Sequence, residues 1–246
     1  MAARMICDEA NRFVNTPPPA QVTIDTKAEE NGWNSKVIAL AANMFPRHPN
    51  ARVWHGTAKR WMLSAFVRQA DLEQNPVVDG RPLRDQVQGA TIFDNYTLEN
   101  HHRVHPDYMT TFNSRLTLRW LYEWAGNPVP ESVSFNARPI YAVLKTLSFP
   151  DGGWVYANGQ DWHLRRNAEW LDTHMAQAVL FRDPEAARLA RLLIPVMEKM
   201  AARRPEGTIN LPTEAWFASA HAQLAEHMAH CYLLLLAHGE GVEPVA

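Results

Sequence analysis

The chain has 246 residues, a formal net charge of −2 and 46% apolar residues. That length supports a substantial core in one domain or two. Its basic residues are scattered, with only short pairs such as Arg165-Arg166 and Arg203-Arg204. Composition therefore gives no electrostatic case for nucleic acid or an anionic membrane as partner. Cys7 and Cys231 lie near opposite ends without metal or redox spacing. They read as free thiols, Cys231 as a buried one.

Met1–Phe13 lacks the apolar core of a signal peptide and carries Arg4, Asp8 and Glu9. No apolar run reaches the ~20 residues that span a bilayer. The expectation is a soluble chain, cytoplasmic as it stands and secreted or periplasmic if cut from a longer precursor. Strand signals are nearly absent, and the periodicity favours helices throughout. Thr16-Pro-Pro-Pro-Ala20 ends a first helical segment. A second helix is expected from about Lys27 to Phe45, with Trp33, Val37, Leu40, Ala41 and Met44 on its inner face. Pro46 and Pro49 stop it, and a return helix over about Ala51–Ala70 carries Trp54, Trp61, Met62, Ala65 and Phe66 inward. Asp71–Asn95 is polar and punctuated by Pro and Gly, hence a loop with at most a short turn of helix. Further helices are expected at about Tyr108–Ala125, Glu131–Leu147, His163–Phe181, Pro184–Arg203 and Thr213–His238. Trp120 and Trp124, at i, i+4, read as core.

A weak repeat organises these helices. Met44-Phe-Pro-Arg-His-Pro-Asn-Ala-Arg52 resembles Leu180-Phe-Arg-Asp-Pro-Glu-Ala-Ala-Arg188, and Trp124-Ala-Gly-Asn-Pro128 is a looser third copy. In each, a helix ends in apolar residues, a short turn carries Pro at or near N1, and a new helix begins. Hairpins with short turns on one side and long polar loops on the other describe an all-α fold, an α/α toroid or solenoid. About four hairpins are present, whereas a closed six-hairpin ring needs roughly 300 residues. The expectation is one incomplete or open toroid domain over residues 1–246.

Two polar loops concentrate the chemistry. Thr97–Tyr108 reads T-L-E-N-H-H-R-V-H-P-D-Y, and Pro150–His163 reads P-D-G-G-W-V-Y-A-N-G-Q-D-W-H. Pro106 prevents the first from being one uninterrupted helix. Dense polar groups on irregular segments between helices mark a binding or catalytic site. Asp107 also suits an N-cap for a helix starting at Tyr108, and Asp151-Gly152 suits a turn.

Glu99-Asn100-His101-His102, followed by Asp151-Gly152-Gly153-Trp154-Val155-Tyr156, resembles the toroid domain of heparinase II/III-like and alginate-type polysaccharide lyases. In those, an Asn-His pair opens an inner helix and a D-G-G/S loop with Tyr follows. The resemblance covers about Asn31–His230. It departs at His102, where the family has Gly, and at Trp162, where the family's Tyr often stands; it does not extend to the β-sandwich that follows the toroid there.

What the resemblance implies is β-elimination on a uronate. Removing the C5 proton requires the neighbouring carboxylate to be neutralised as negative charge develops. Asn100 would supply that, His101 the base and Tyr156 the acid, or both roles. Glu99, His102, His105, Trp154, Asp161, Trp162, His163 and Arg165 would bind substrate, the indoles by stacking on pyranose rings. Two other classes stay open. A glycoside hydrolase would draw a carboxylate pair from Glu99, Asp107, Asp151 and Asp161. A helical carbohydrate-binding or interaction module would bind without turnover. The H-H-x-x-H of His101, His102 and His105 and the i, i+3 pair His227/His230 lack an H-E-x-x-H context, so no metal and no cofactor are expected. The expected partner is an oligo- or polysaccharide, and the sequence leaves the oligomeric state open.

Overall fold

The computed structural model describes residues 1–104, 106–157, 159, 168–209, 220–239 and 241–245. The chain is mostly helical and divides into two compact units, Met1–Ile140 and Tyr141–Ala246. Among the described residues no helix is long and apolar enough to cross a membrane.

The first unit is built on three helices: α1 (Ala2–Arg12), α2 (Ala28–Met44) and α3 (Ala51–Ser64). α2 and α3 form the hairpin expected from the Pro46 and Pro49 stops, and α1 packs on α2. Trp54, Trp61 and Met62 of α3 are buried as expected, and Phe13 meets the Trp61 ring edge-on at 4.9 Å. The inner face of α2 differs from expectation. Trp33 is 50% exposed and Met44 points outward, while Asn31, Ser35, Ile38, Ala39 and Ala42 are buried. Small residues let α3 approach closely, so the bulky ones are displaced to the rim. Asn31 donates from Nδ2 to Pro19 O (2.9 Å) and Ser64 O (3.1 Å), tying the proline linker and the end of α3 to α2.

The return helix stops at Ser64, and a short α4 (Gln69–Gln74) follows inside the segment expected to be loop. The Asp71 carboxylate caps it, accepting from Arg68 N at 3.0 Å. Two small ribbons interrupt the helical chain. β1 (Val77–Val78) pairs with β2 (Arg81–Pro82) across Asp79-Gly80, both at positive φ as a type I′ turn requires. Val78 and Leu83 then pack on Leu63 and Val67, which gives this polar segment its own core. Asp79 accepts from Glu131 N (2.8 Å) and Ser132 N (3.2 Å), starting the 3₁₀ turn Glu131–Val133.

After β3 (Glu99–Asn100) and β4 (Arg103–Val104), the chain turns helical at α5 (Pro106–Met109). A 3₁₀ turn (Thr110–Phe112), α6 (Asn113–Leu116) and α7 (Leu118–Trp124) continue it. Pro106 is the first residue of α5, so Asp107 lies inside the first turn, buried, and not at the N-cap. Trp124 is 68% exposed and not in the core, its ring tilted against that of half-buried Trp120 at 5.3 Å between centres.

Arg115 of α6 holds this unit together from within. It is fully buried and donates to three carbonyls: Met62 O, Ser132 O and Phe135 O, each at 3.0 Å. Its guanidinium lies 4.2 Å from the centre of the Phe66 ring. Burial lowers its pKa to about 9, which still leaves it charged at neutral pH.

The boundary between units falls within α8 (Ala137–Thr146). The second unit continues with α9 (Ala168–Leu180), α10 (Pro184–Ala201) and α11 (Ala220–His238). α9 and α10 form the hairpin read from Arg182-Asp183-Pro184. Asp183 caps α10, accepting from Glu185 N and Ala186 N, and Pro184 occupies N1. α11 packs against α9, with Cys231 buried as expected.

Candidate functional site

The Asn-His pair does not open a helix. Glu99–Val104 is a β-hairpin whose two-residue turn is His101-His102, at φ +48° and +63°. A two-residue hairpin loop needs positive φ at both positions to match the twist of its strands, which Asn-Gly adopts with least strain. Here two histidines take those positions. Strand alternation turns Leu98 and Asn100 inward, so the imidazoles of His101 and His102 are exposed at the tip.

A third segment laces the hairpin in place. His102 N donates to Ile24 O (3.1 Å), Thr26 N to Glu99 O (3.0 Å) and Ile24 N to the Glu99 carboxylate (2.7 Å). Asn100 Nδ2 donates to Asp25 Oδ1 at 2.7 Å. Ile24 itself sits at φ +70°, a costly conformation for a β-branched residue. Three positive-φ side-chain residues thus meet in one braced cluster. Behind the tip lie Tyr108, its ring 6.3 Å from that of His101, and Asp107, both buried on α5.

Asn100 is 3% exposed, and its Oδ1 accepts no hydrogen bond among the described residues. Rotating the amide would bring that oxygen against the Asp25 carboxylate, so Asp25 fixes which end points where. The amide N–H₂ expected to face a substrate carboxylate is instead turned to Asp25. What remains is a buried acceptor, suited to a hydroxyl or a water.

The second polar loop belongs to the second unit. Asp151-Gly152 forms the expected turn: Gly153 N donates to Asp151 Oδ1 at 3.1 Å, and Gly152 has φ +91°. Trp154 is not a stacking platform. It is 1% exposed and lies against His174 at 4.9 Å between ring centres. The apolar environment beneath the loop captures the indole. Tyr156 is half-buried, and its hydroxyl accepts from Trp170 Nε1 at 3.3 Å.

Two histidine clusters of this unit lie outside the expected site residues. His174 Nε2 lies 2.8 Å from Gly152 O and Nδ1 lies 2.8 Å from the Tyr141 hydroxyl. A carbonyl only accepts, so Nε2 carries the proton and Tyr141 donates to Nδ1. Burial lowers the His174 pKa to about 4, so the ring is neutral. Asp172 of α9 accepts from Nδ1 of His227 (2.8 Å) and faces Nδ1 of His230. Burial alone would raise that carboxyl; the facing His230 and His227 outweigh it and hold it at about 2. The i, i+3 spacing of His227 and His230 was legible, but their carboxylate, on another helix, was not. Among the described residues, no group of three or more His, Cys, Asp or Glu side chains is arranged to hold a metal ion.

The expected site residues therefore distribute as follows. Glu99, Asn100, His101 and His102 share the hairpin of the first unit, while Trp154 and Tyr156 belong to the second. His105, Asp161, Trp162, His163 and Arg165 lie outside the described residues. No protein-family model, curated protein or solved structure matches this chain.

Proposed function

We propose that the chain is a carbohydrate-active enzyme on an open α/α toroid, a lyase that cleaves acidic polysaccharide by β-elimination. The observation that carries the reading is the braced dihistidine turn. Non-glycine residues held in the left-handed region are costly, and such strain collects where function requires it. Here it holds two exposed imidazoles, the side-chain type most often used as general base or acid. In this reading one imidazole removes the C5 proton and the other protonates the leaving oxygen. Asn100 is a positioning residue for the turn, its buried amide tied to Asp25.

Among the described residues, the commitments of the carboxylates favour elimination over hydrolysis, with Asp161 outside them. Glu99 accepts from Ile24 N, Asp151 from Gly153 N, and Asp107 is buried. A glycosidase needs two carboxyl groups facing the scissile bond. The test is incubation of the chain with alginate, heparinoid and pectic substrates, following the ultraviolet absorbance of an unsaturated product. Turnover should be lost in His101→Ala or His102→Ala. Reducing-sugar release without unsaturated product would transfer the assignment to hydrolysis, and saturable sugar binding without turnover would make the chain a binding module.

A further inference from the structure

The second unit carries an apolar slot of about 300 Å³ that the proposed reaction does not use. α9 packs against both α10 and α11, and the slot opens between those two helices. Met175 and Val179 form its floor, Ile194 and Leu235 its walls. Arg191 is the one charged side chain lining it among the described residues. An apolar recess with a single placed polar group is the usual composition of a small-ligand site, and this volume sits at the small end of that class.

The chain's own tail indicates what fits. Gly241, at φ +78°, lies so close to α9 that a Cβ there would stand 2.8 Å from Ala178 O. Val245 N donates to Pro184 O at 3.3 Å. Between these two anchors Val242 enters the slot lining and Glu243 reaches Arg191 at 3.5 Å. The tail thus sets an apolar group at the slot and a carboxylate on the arginine. That ion pair is 61% and 87% exposed on its two sides, which makes it weak and replaceable in water.

We propose that this slot binds an amphipathic carboxylate, an unbranched apolar chain ending in a carboxylate. The chain lies over Met175 and Val179 between Ile194 and Leu235, and its carboxylate replaces that of Glu243 on Arg191. Arginine favours such a head group because its fork meets both carboxylate oxygens at once.

The test is isothermal titration of the full chain with decanoate, 1-decanol and acetate, below the concentrations at which the first two aggregate. Decanoate should bind saturably, decanol at least about tenfold more weakly, and acetate not at all. Arg191→Gln should weaken decanoate by about tenfold, and Glu243→Gln, which removes the internal competitor, should tighten it. Ile194→Asp, at an exposed position, should abolish binding. The proposal is overturned if decanoate does not bind, or if decanol binds the unaltered chain as tightly as decanoate. It is also overturned if the chain sediments as a dimer that Ile194→Asp dissociates and decanoate does not, which would assign the slot to a second copy.

Discussion

Replacing His101-His102 by Asn-Gly tests whether the hairpin turn is strained for a purpose. Both histidines sit at positive φ, and the brace to Ile24 runs through the His102 backbone N–H, which the replacement keeps. A side-chain residue in the left-handed region costs about 1–2 kcal/mol, whereas Asn and Gly adopt it readily. Glycine gives back about 0.5–1 kcal/mol through the extra freedom of the unfolded chain. The net expectation is stabilisation by about 1 kcal/mol, a rise of roughly 2–4 °C in Tm for a chain of this size. Turnover on a uronate polymer should vanish in the same variant. Scanning calorimetry and the ultraviolet assay measure the two effects independently. A destabilised variant would mean that the imidazoles make stabilising contacts at the tip, and undiminished turnover would remove both from the chemistry.

Arg115→Met should destabilise the first unit by about 3–5 kcal/mol in urea unfolding, because Met62 O, Ser132 O and Phe135 O lose their donor together; a loss under about 1 kcal/mol would show that water replaces it freely. The pKa of His174 is lowered to about 4, so the folded chain binds fewer protons there, and its contribution is complete above the ordinary histidine range and lost as pH falls from about 6.5 toward 4. The decline should amount to about 3 kcal/mol across that window and be absent from His174→Gln, a difference read from urea midpoints at each pH. Gly152→Ala should cost about 2 kcal/mol or more, since a Cβ would stand 2.7 Å from Leu189 O at a φ of +91°; unchanged thermal stability would contradict the tight approach of that turn to α10.

How much of this was legible depends on whether the signal was local. α2 and α10 matched their expected spans because prolines and caps punctuate them: Pro46 beyond one, Asp183-Pro184 at the start of the other. Which face of α2 packs was not legible, because Trp33 and Met44 outrank Asn31 and Ser35 in hydrophobicity but not in closeness of fit. The Asp79-Gly80 turn between Val78 and Arg81 carries a local hairpin signal, an Asp-Gly pair between short runs. The His101-His102 turn carried none, since two-residue strands show no alternation and histidine is an unusual occupant of that turn. Pairings across the chain lay beyond reach altogether. Asn100 meets Asp25 across 75 residues, and Tyr141 meets His174 across 33, through contacts that only packing creates.

Asn100 separates a braced turn from a directly catalytic amide. Were its amide to stabilise a developing enolate, Asn100→Asp would lower kcat and leave the fold intact, since Asp is nearly isosteric. In this structure the amide is buried and donates to Asp25 Oδ1 at 2.7 Å. An Asp in its place would set a buried carboxylate against that of Asp25, whose own side chain is 42% exposed. One of them must then take up a proton, or the hairpin must part from Ile24–Thr26. Losing this part-buried hydrogen bond and burying an unpaired carboxylate costs about 1–3 kcal/mol, and protonation at low pH should recover part of it. The expected result is therefore a stability loss that shrinks as pH falls toward the carboxylate range, with activity lost in parallel with folded hairpin. Asn100→Asp combined with Asp25→Asn restores one donor and one acceptor across the same gap, and should recover most of the stability. If the single variant folds with unchanged midpoint at neutral pH and loses only kcat, the amide faces substrate after all. Asn100 would then be a catalytic residue and not a brace.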